Sequence, residues 1–232
     1  MSIRFDNQVA IVTGAGGGLG KEHALDLARR GAKVVVNDLG GGVDGSGASD
    51  AAKAVVDQII SEGGEAIANG ASVTDLDAVK AMVNEAMEKW GRIDILVNNA
   101  GILRDKSFHK DSIESFNAVM DVHFQGTLNC THTVYPIMRE QEFGRIIFTS
   151  SSSGVFGNFG QANYGSAKMA VIGLMNTLKL EVQKYNVYTN SITPVAYTRM
   201  TEGLKPEDFG KRCSKWSYYC CWSWSFCKNI HS

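Results

Sequence analysis

Three side chains in one stretch have the types and spacing of a proton-transfer site. In SSSGVFGNFGQANYGSAK, residues 151–168, Ser151 is followed thirteen residues later by Tyr164, and Lys168 lies four residues further on. Tyr164 and Lys168 stand i, i+4 at the front of a long apolar-periodic run, so both project from one helix face. An ordinary phenol has a pKa of about 10, too high for a base near neutral pH. A neighbouring ammonium is expected to lower it. Ser151 ends an apolar strand, GRIIFTSS, where its hydroxyl can hydrogen-bond a substrate oxygen. Together they make an acid/base, its tuner and an oxygen clamp, which suits chemistry at an alcohol or a carbonyl. Singly the signals are weak: Tyr-x-x-x-Lys occurs by chance in many helices, and Ser151 is one of four consecutive serines.

A second pattern supplies a cofactor site. The apolar strand Val9–Thr13 runs into the turn Gly14-Ala-Gly-Gly-Gly-Leu-Gly20, and a helix follows with Ala24, Leu27 and Ala28 on one face and Gly31 as its stop. Glycines let a backbone approach a pyrophosphate, and a helix N-terminus offers N–H groups and a positive dipole end. The next strand, residues 33–38, ends in Asp38, about twenty residues on, where an adenosine ribose would lie. Asp38 can accept from ribose hydroxyls and would repel a 2′-phosphate. No Arg or Lys lies inside the glycine turn, so NAD is expected rather than NADP.

These residues need a frame. Strands are expected at 9–13, 33–38, 65–68, 93–97, the segment leading into Ser151, and 187–192, with helices between them. Helices are expected at about 50–62, from a Thr74 cap through Trp90, over 111–140 as one long helix with Asp111 and Glu114 as a capping box, and over 161–184. The alternation predicts an α/β fold: a Rossmann-type, doubly wound parallel sheet in the order 3-2-1-4-5-6 with helices on both faces. Asn98-Asn99-Ala100-Gly101 then falls at a strand tip facing the ligand crevice.

The 232 residues, 44% hydrophobic and 20% charged, suit one globular domain. A formal charge of −1 points to neither nucleic acid nor membrane. No run approaches the ~18 apolar residues of a spanning helix. MSIRFDNQ lacks a signal-peptide core, and NIHS is not the Ser-Lys-Leu peroxisomal address, so a cytoplasmic location is expected. Only Cys130 lies in the first 200 residues, which fits a reduced compartment.

In combination, Thr13-Gly14-x-x-x-Gly18-x-Gly20, Asn98-Asn-Ala-Gly101, Ser151 and Tyr164-x-x-x-Lys168 resemble the short-chain dehydrogenase/reductase family over roughly residues 5–200. More narrowly, residues 36–41, 98–105 and 157–164 look like its (3R)-hydroxyacyl-CoA dehydrogenase branch, the dehydrogenase domain of peroxisomal multifunctional enzymes of type 2 and bacterial single-domain relatives. The resemblance implies an NAD-dependent oxidoreductase interconverting 3-hydroxyacyl-CoA and 3-oxoacyl-CoA; the alternatives are another short-chain oxidoreductase, a 3-oxoacyl reductase or steroid dehydrogenase, and, given the tail, a non-catalytic dinucleotide-binding fragment. Tyr164 would be the acid/base, Lys168 its tuner and a ribose ligand, and Ser151 the oxygen clamp. Gly14, Gly18, Leu19 and Gly20 would hold the pyrophosphate, Asp38 the ribose, Ser72 and Val73 the adenine side, and Asn99 the cleft wall. It also implies a homo-oligomer for an intact relative, and no metal. His123 occupies the place where the family usually has an asparagine of a proton relay, and Pro194-Val195 replaces the usual Pro-Gly.

From about residue 209 the text changes to GKRCSKWSYYCCWSWSFCKNIHS up to the terminus, preceded by Phe209, with four of the five cysteines and three of the four tryptophans. The expected division is therefore 1–208 for the dehydrogenase domain and 209–232 for an atypical tail, with the seventh strand missing. Irregular cysteine spacing speaks against a metal site, and the lack of a helical face against a membrane-surface tail. A frameshifted terminus is the expectation, because Cys, Trp, Tyr, Phe and many Ser codons begin with T.

Overall fold

The computed structural model describes residues 3–45 and 50–194 in full, and the backbone of residues 219–221. Six strands, β1 (Val9–Thr13), β2 (Lys33–Asn37), β3 (Glu65–Asn69), β4 (Ile95–Asn98), β5 (Gly144–Thr149) and β6 (Val187–Pro194), form a parallel sheet in the order β3-β2-β1-β4-β5-β6. The chain order reverses between β1 and β4. There the connections leave in opposite directions and open a crevice at the carboxyl ends of the strands.

Side-chain alternation along the strands feeds two cores. Ala10, Val12, Val34, Val36, Ile95 and Val97 face α1 (Gly18–Arg29) and α2 (Ala51–Ser61). Ile11, Val35, Leu96, Ile146 and Phe148 face α3 (Leu76–Trp90), α5 (Gly126–Glu140) and α7 (Ala162–Val182). The apolar stripe of α3, Val79, Met82, Val83 and Ala86, is wholly buried, as the i, i+3, i+4, i+7 spacing requires.

Several local expectations are corrected. The described parallel sheet has six strands, and the tail adds to its edge only the backbone of β7 (Tyr219–Cys221), which pairs antiparallel with Ile192, Thr193 and Pro194. The rest of the tail, and with it the boundary at 208, lies outside the described residues. The single helix 111–140 is instead α4 (Ile113–Met120), a π-helical turn (Asp121–Gln125) and α5. Ser112, not an Asp111–Glu114 box, caps α4 by accepting from Ser115 N–H at 3.1 Å. Asp75, not Thr74, caps α3, accepting from Asp77 N–H at 2.9 Å and Ala78 N–H at 3.1 Å. Asp75 has the extended backbone, φ −95° and ψ 107°, that puts its carboxylate beside the first-turn amides. Ser151 lies past the end of β5 and caps a short helix, α6 (Ser152–Phe156).

Below the sheet, on the side away from the crevice, Asp94 ties β1 to β4. Its fully buried carboxylate accepts from Val9 N–H at 2.8 Å and from Arg92 Nε and Nη2 at 2.8 and 2.6 Å. Asp94→Ala strands the Val9 N–H in the core. We expect a loss of about 2–4 kcal/mol in unfolding free energy, read as a lower urea midpoint at unchanged m-value.

Candidate active site

At the reversal, one hydroxyl gathers two strand tips. Thr13 Oγ1 accepts from the N–H groups of Asn99 and Ala100 at 3.0 and 3.1 Å and donates to Val97 O at 3.3 Å. Asn99 Nδ2 returns two hydrogen bonds, to the carbonyls of Thr13 and Gly14, both at 3.0 Å. The crevice above holds a cleft of about 420 Å³, whose walls include Gly14, Gly18, Leu19, Asp38, Ser72, Val73 and Asn99.

Its shape fits a dinucleotide. Gly14 has φ +63°, and a Cβ there would stand 2.7 Å from Ala100 Cα. At Gly20 a Cβ would strike the Gly14 carbonyl, so the glycine lets α1 seat directly under the turn. α1 begins at Gly18 with no described side chain capping it, leaving first-turn amides for an anion. Asp38 is held at the tip of β2 by two backbone donors, Gly16 N–H to Oδ2 and Gly40 N–H to Oδ1, each at 2.7 Å. An ionised carboxylate offers about four lone-pair sites, so acceptor capacity is left for ribose hydroxyls. Ser72 lines the cleft with its hydroxyl 2.8 Å from that of Thr74. Val73 lines it too, while its carbonyl accepts from Asn129 Nδ2 at 2.9 Å.

Four further candidates cluster beside this cleft. Tyr164 and Lys168 rise from the first turns of α7, and Ser151 stands at the start of α6, where its hydroxyl accepts from Ser153 N–H at 3.2 Å and lies close enough to influence the phenol. The π turn directs His123 inward from the helix behind. Its ring packs edge-on against Tyr164 at 5.1 Å between centroids, and Nε2 lies 2.8 Å from Ile102 O and 3.1 Å from Ile102 N. Burial and the nearby Lys168 push the imidazole well below its usual pKa, so it is neutral at pH 7.

Lys168 shares the helix face of Tyr164, as the i, i+4 spacing requires, but its ammonium is spent on the backbone. Lys168 is 4% exposed and donates to Thr149 O at 2.6 Å, with Nζ 5.6 Å from the centre of the Tyr164 ring. Burial lowers its pKa to about 7. The phenol is raised from its ordinary value, chiefly by burial, with the nearby Ser151 hydroxyl lowering it and Asp105 raising it further. The adjacent ammonium does not produce the expected lowering: in this geometry desolvation outweighs it, and the phenol is protonated at neutral pH.

The short chain dehydrogenase family profile matches residues 8–208. The chain belongs to the short-chain dehydrogenase family. Peroxisomal multifunctional enzyme type 2 of Drosophila melanogaster is 55% identical over 206 residues, 88% of this chain and 34% of that protein. The chain thus spans about a third of that relative's length. A putative short-chain type dehydrogenase/reductase of Mycobacterium tuberculosis is 49% identical over 203 residues, 87% of this chain and 71% of that one. Among solved structures, 7α-hydroxysteroid dehydrogenase complexed with NADH and 7-oxo glycochenodeoxycholic acid is 32% identical with a TM-score of 0.80, covering 88% of this chain and 77% of that one. Membership of this family makes the chain an oxidoreductase, and the 7α-hydroxysteroid dehydrogenase structure holds NADH.

Three positions of the dehydrogenase site are not singled out by sequence reasoning. Asn163 Nδ2 bonds Arg104 O at 3.0 Å and Asp111 Oδ2 at 2.9 Å, fastening the start of α7 to the segment after β4. Asp105 reaches the field of the phenol, and the Thr149 carbonyl anchors Lys168. The only available signal was an amide immediately before the tyrosine. No helix of the described residues is long and apolar enough to cross a membrane.

Lys168 also makes stability depend on pH. Its folded pKa of about 7 lies below the ordinary 10.5, so between these values the unfolded chain binds more protons. Its penalty is full below pH 7 and fades as pH rises toward 10.5. Urea titrations should show this component rising with pH by at most about 1.4 kcal/mol per pH unit, and Lys168→Met should flatten it.

Proposed function

We propose that this chain interconverts 3-hydroxyacyl-CoA and 3-oxoacyl-CoA with NAD. The observation that carries the cofactor choice is Asp38, a carboxylate pinned at the tip of β2 where a 2′-phosphate would meet like charge. The substrate class rests on the (3R)-hydroxyacyl-CoA dehydrogenase resemblance of residues 98–105 and 157–164 and on the 55% identical multifunctional enzyme.

When bound, the nicotinamide supplies the hydride chemistry. Gly14, Gly18, Leu19 and Gly20 hold the pyrophosphate region, Asp38 the adenosine ribose, Ser72 and Val73 the adenine side, and Asn99 the wall between. In reduction Tyr164 donates its phenolic proton to the carbonyl oxygen while Ser151 hydrogen-bonds that oxygen. In oxidation Tyr164 takes the hydroxyl proton back. Lys168, held by the Thr149 carbonyl, would join Tyr164 in holding the nicotinamide ribose. His123, neutral and hydrogen-bonded to Ile102, backs the phenol ring and keeps it upright.

Tyr164→Phe should lower kcat for a 3-hydroxyacyl-CoA by about 10²–10⁴-fold while leaving the NAD dissociation constant within a few-fold. Intact turnover would sink the mechanism, and no turnover by the parent chain would favour a dinucleotide-binding protein without this activity. Asp38→Asn should narrow the ratio of kcat/KM with NAD to that with NADP by about tenfold, ~1.4 kcal/mol. An unchanged ratio would remove Asp38 from cofactor choice.

A further inference from the structure

Beside Tyr164 the segment that follows β4 forms an exposed lip, Arg104-Asp-Lys-Ser-Phe-His-Lys110. It is tied to the wall leading into α7: Lys106 N–H donates to Gly160 O at 2.9 Å, and Gln161 Nε2 donates to Asp105 Oδ2 at 2.7 Å. Asn163 adds its bonds to Arg104 O and Asp111. These contacts sort the charges. Asp105 and Asp111 each accept from the wall through one carboxylate oxygen. Lys106, His109 and Lys110 face solvent, and neither lysine makes an ion pair among the described residues.

Between the lysines Phe108 is 75% exposed, and across the wall Phe159 is 91% exposed. Large rings bared this far serve the fold little. A short 3₁₀ turn, Phe108–Lys110, holds the ring and cation together. An exposed aromatic face flanked by unpaired ammonium groups has the two parts of nucleotide recognition, a surface for a base to stack on and cations for its phosphates.

We infer that this lip binds the 3′-phosphoadenosine diphosphate end of the coenzyme A thioester, with Phe108 under the base and Lys106 and Lys110 on the phosphates, the pantetheine arm running past Phe159 to Tyr164. The inference rests on the acyl-CoA reading of the active site and extends it to residues outside the reacting atoms. Charge complementarity selects this occupant over a second copy of the chain, which would bring the same lysines.

The test compares a 3-hydroxyacyl-CoA with the same acyl group on N-acetylcysteamine, which lacks base and phosphates. In K106E/K110E the KM for the CoA thioester should rise about tenfold, and in F108A severalfold. For both variants kcat, the NAD dissociation constant and the KM for the N-acetylcysteamine thioester should stay as in the parent chain. The CoA KM of the parent should also rise with salt, and that of K106E/K110E should not. Equal shifts for both thioesters, or none for CoA, overturn the inference and leave the functional reading standing. So does a change of sedimenting mass in place of KM, which would make the lip a contact between copies. If the parent turns over neither thioester, the functional reading falls. Calorimetry with desulfo-CoA then decides the lip: heat lost in K106E/K110E supports it, and no heat with the parent overturns it.

Discussion

The site depends on the joint between β1 and β4. These strands are far apart in sequence, and their tips are held by five hydrogen bonds that run through Thr13 Oγ1 and the Asn99 side chain. A buried hydroxyl that both donates and accepts can satisfy three backbone groups at once, and each would be costly to leave unpaired. Because the joint is closed, the glycine turn above it stays open. The carbonyls of Thr13 and Gly14 are occupied from behind, and the amides at the start of α1 face the cleft.

Around this joint the two functional halves are built by different means. The cofactor half is backbone: glycines that admit close approach, a helix start, and a carboxylate braced by two amides. The half proposed to react is buried side chains, and there desolvation sets the charge states. It keeps His123 neutral, brings Lys168 to about 7 and raises the Tyr164 phenol. A lysine at pKa about 7 sits close to its switching point near neutral pH, so a small change in surrounding charge changes its state.

The π turn explains how His123 reaches this half. An α-helix through Asp121–Gln125 would distribute those side chains at the ordinary 3.6-residue period, whereas the wider turn admits an extra residue and re-aims the next ones. At the buried ring, close packing leaves no slack: a Cβ on Gly101 would overlap the imidazole. Gly101 and His123 are therefore one fitted pair, although twenty-two residues separate them.

Much of the fold was legible in residue order. The alternation of apolar runs and periodic helices specified six parallel strands and their sequence in the sheet, and glycine spacing with Asp38 marked the cleft, because these follow from local steric and periodic rules. Capping was less legible, since Asp75 and Thr74, or Ser112 and Asp111, are neighbours of similar capacity and only the backbone angles choose between them. The antiparallel pairing of Tyr219–Cys221 with β6 was illegible, because strand addition at an edge depends on where unpaired N–H and C=O groups lie in space. By itself the sequence determined which groups are present at the candidate site. The tertiary structure decided their state, sending Lys168 to the Thr149 carbonyl and burying the phenol, because desolvation depends on what packs around a group and not on its neighbours in the chain.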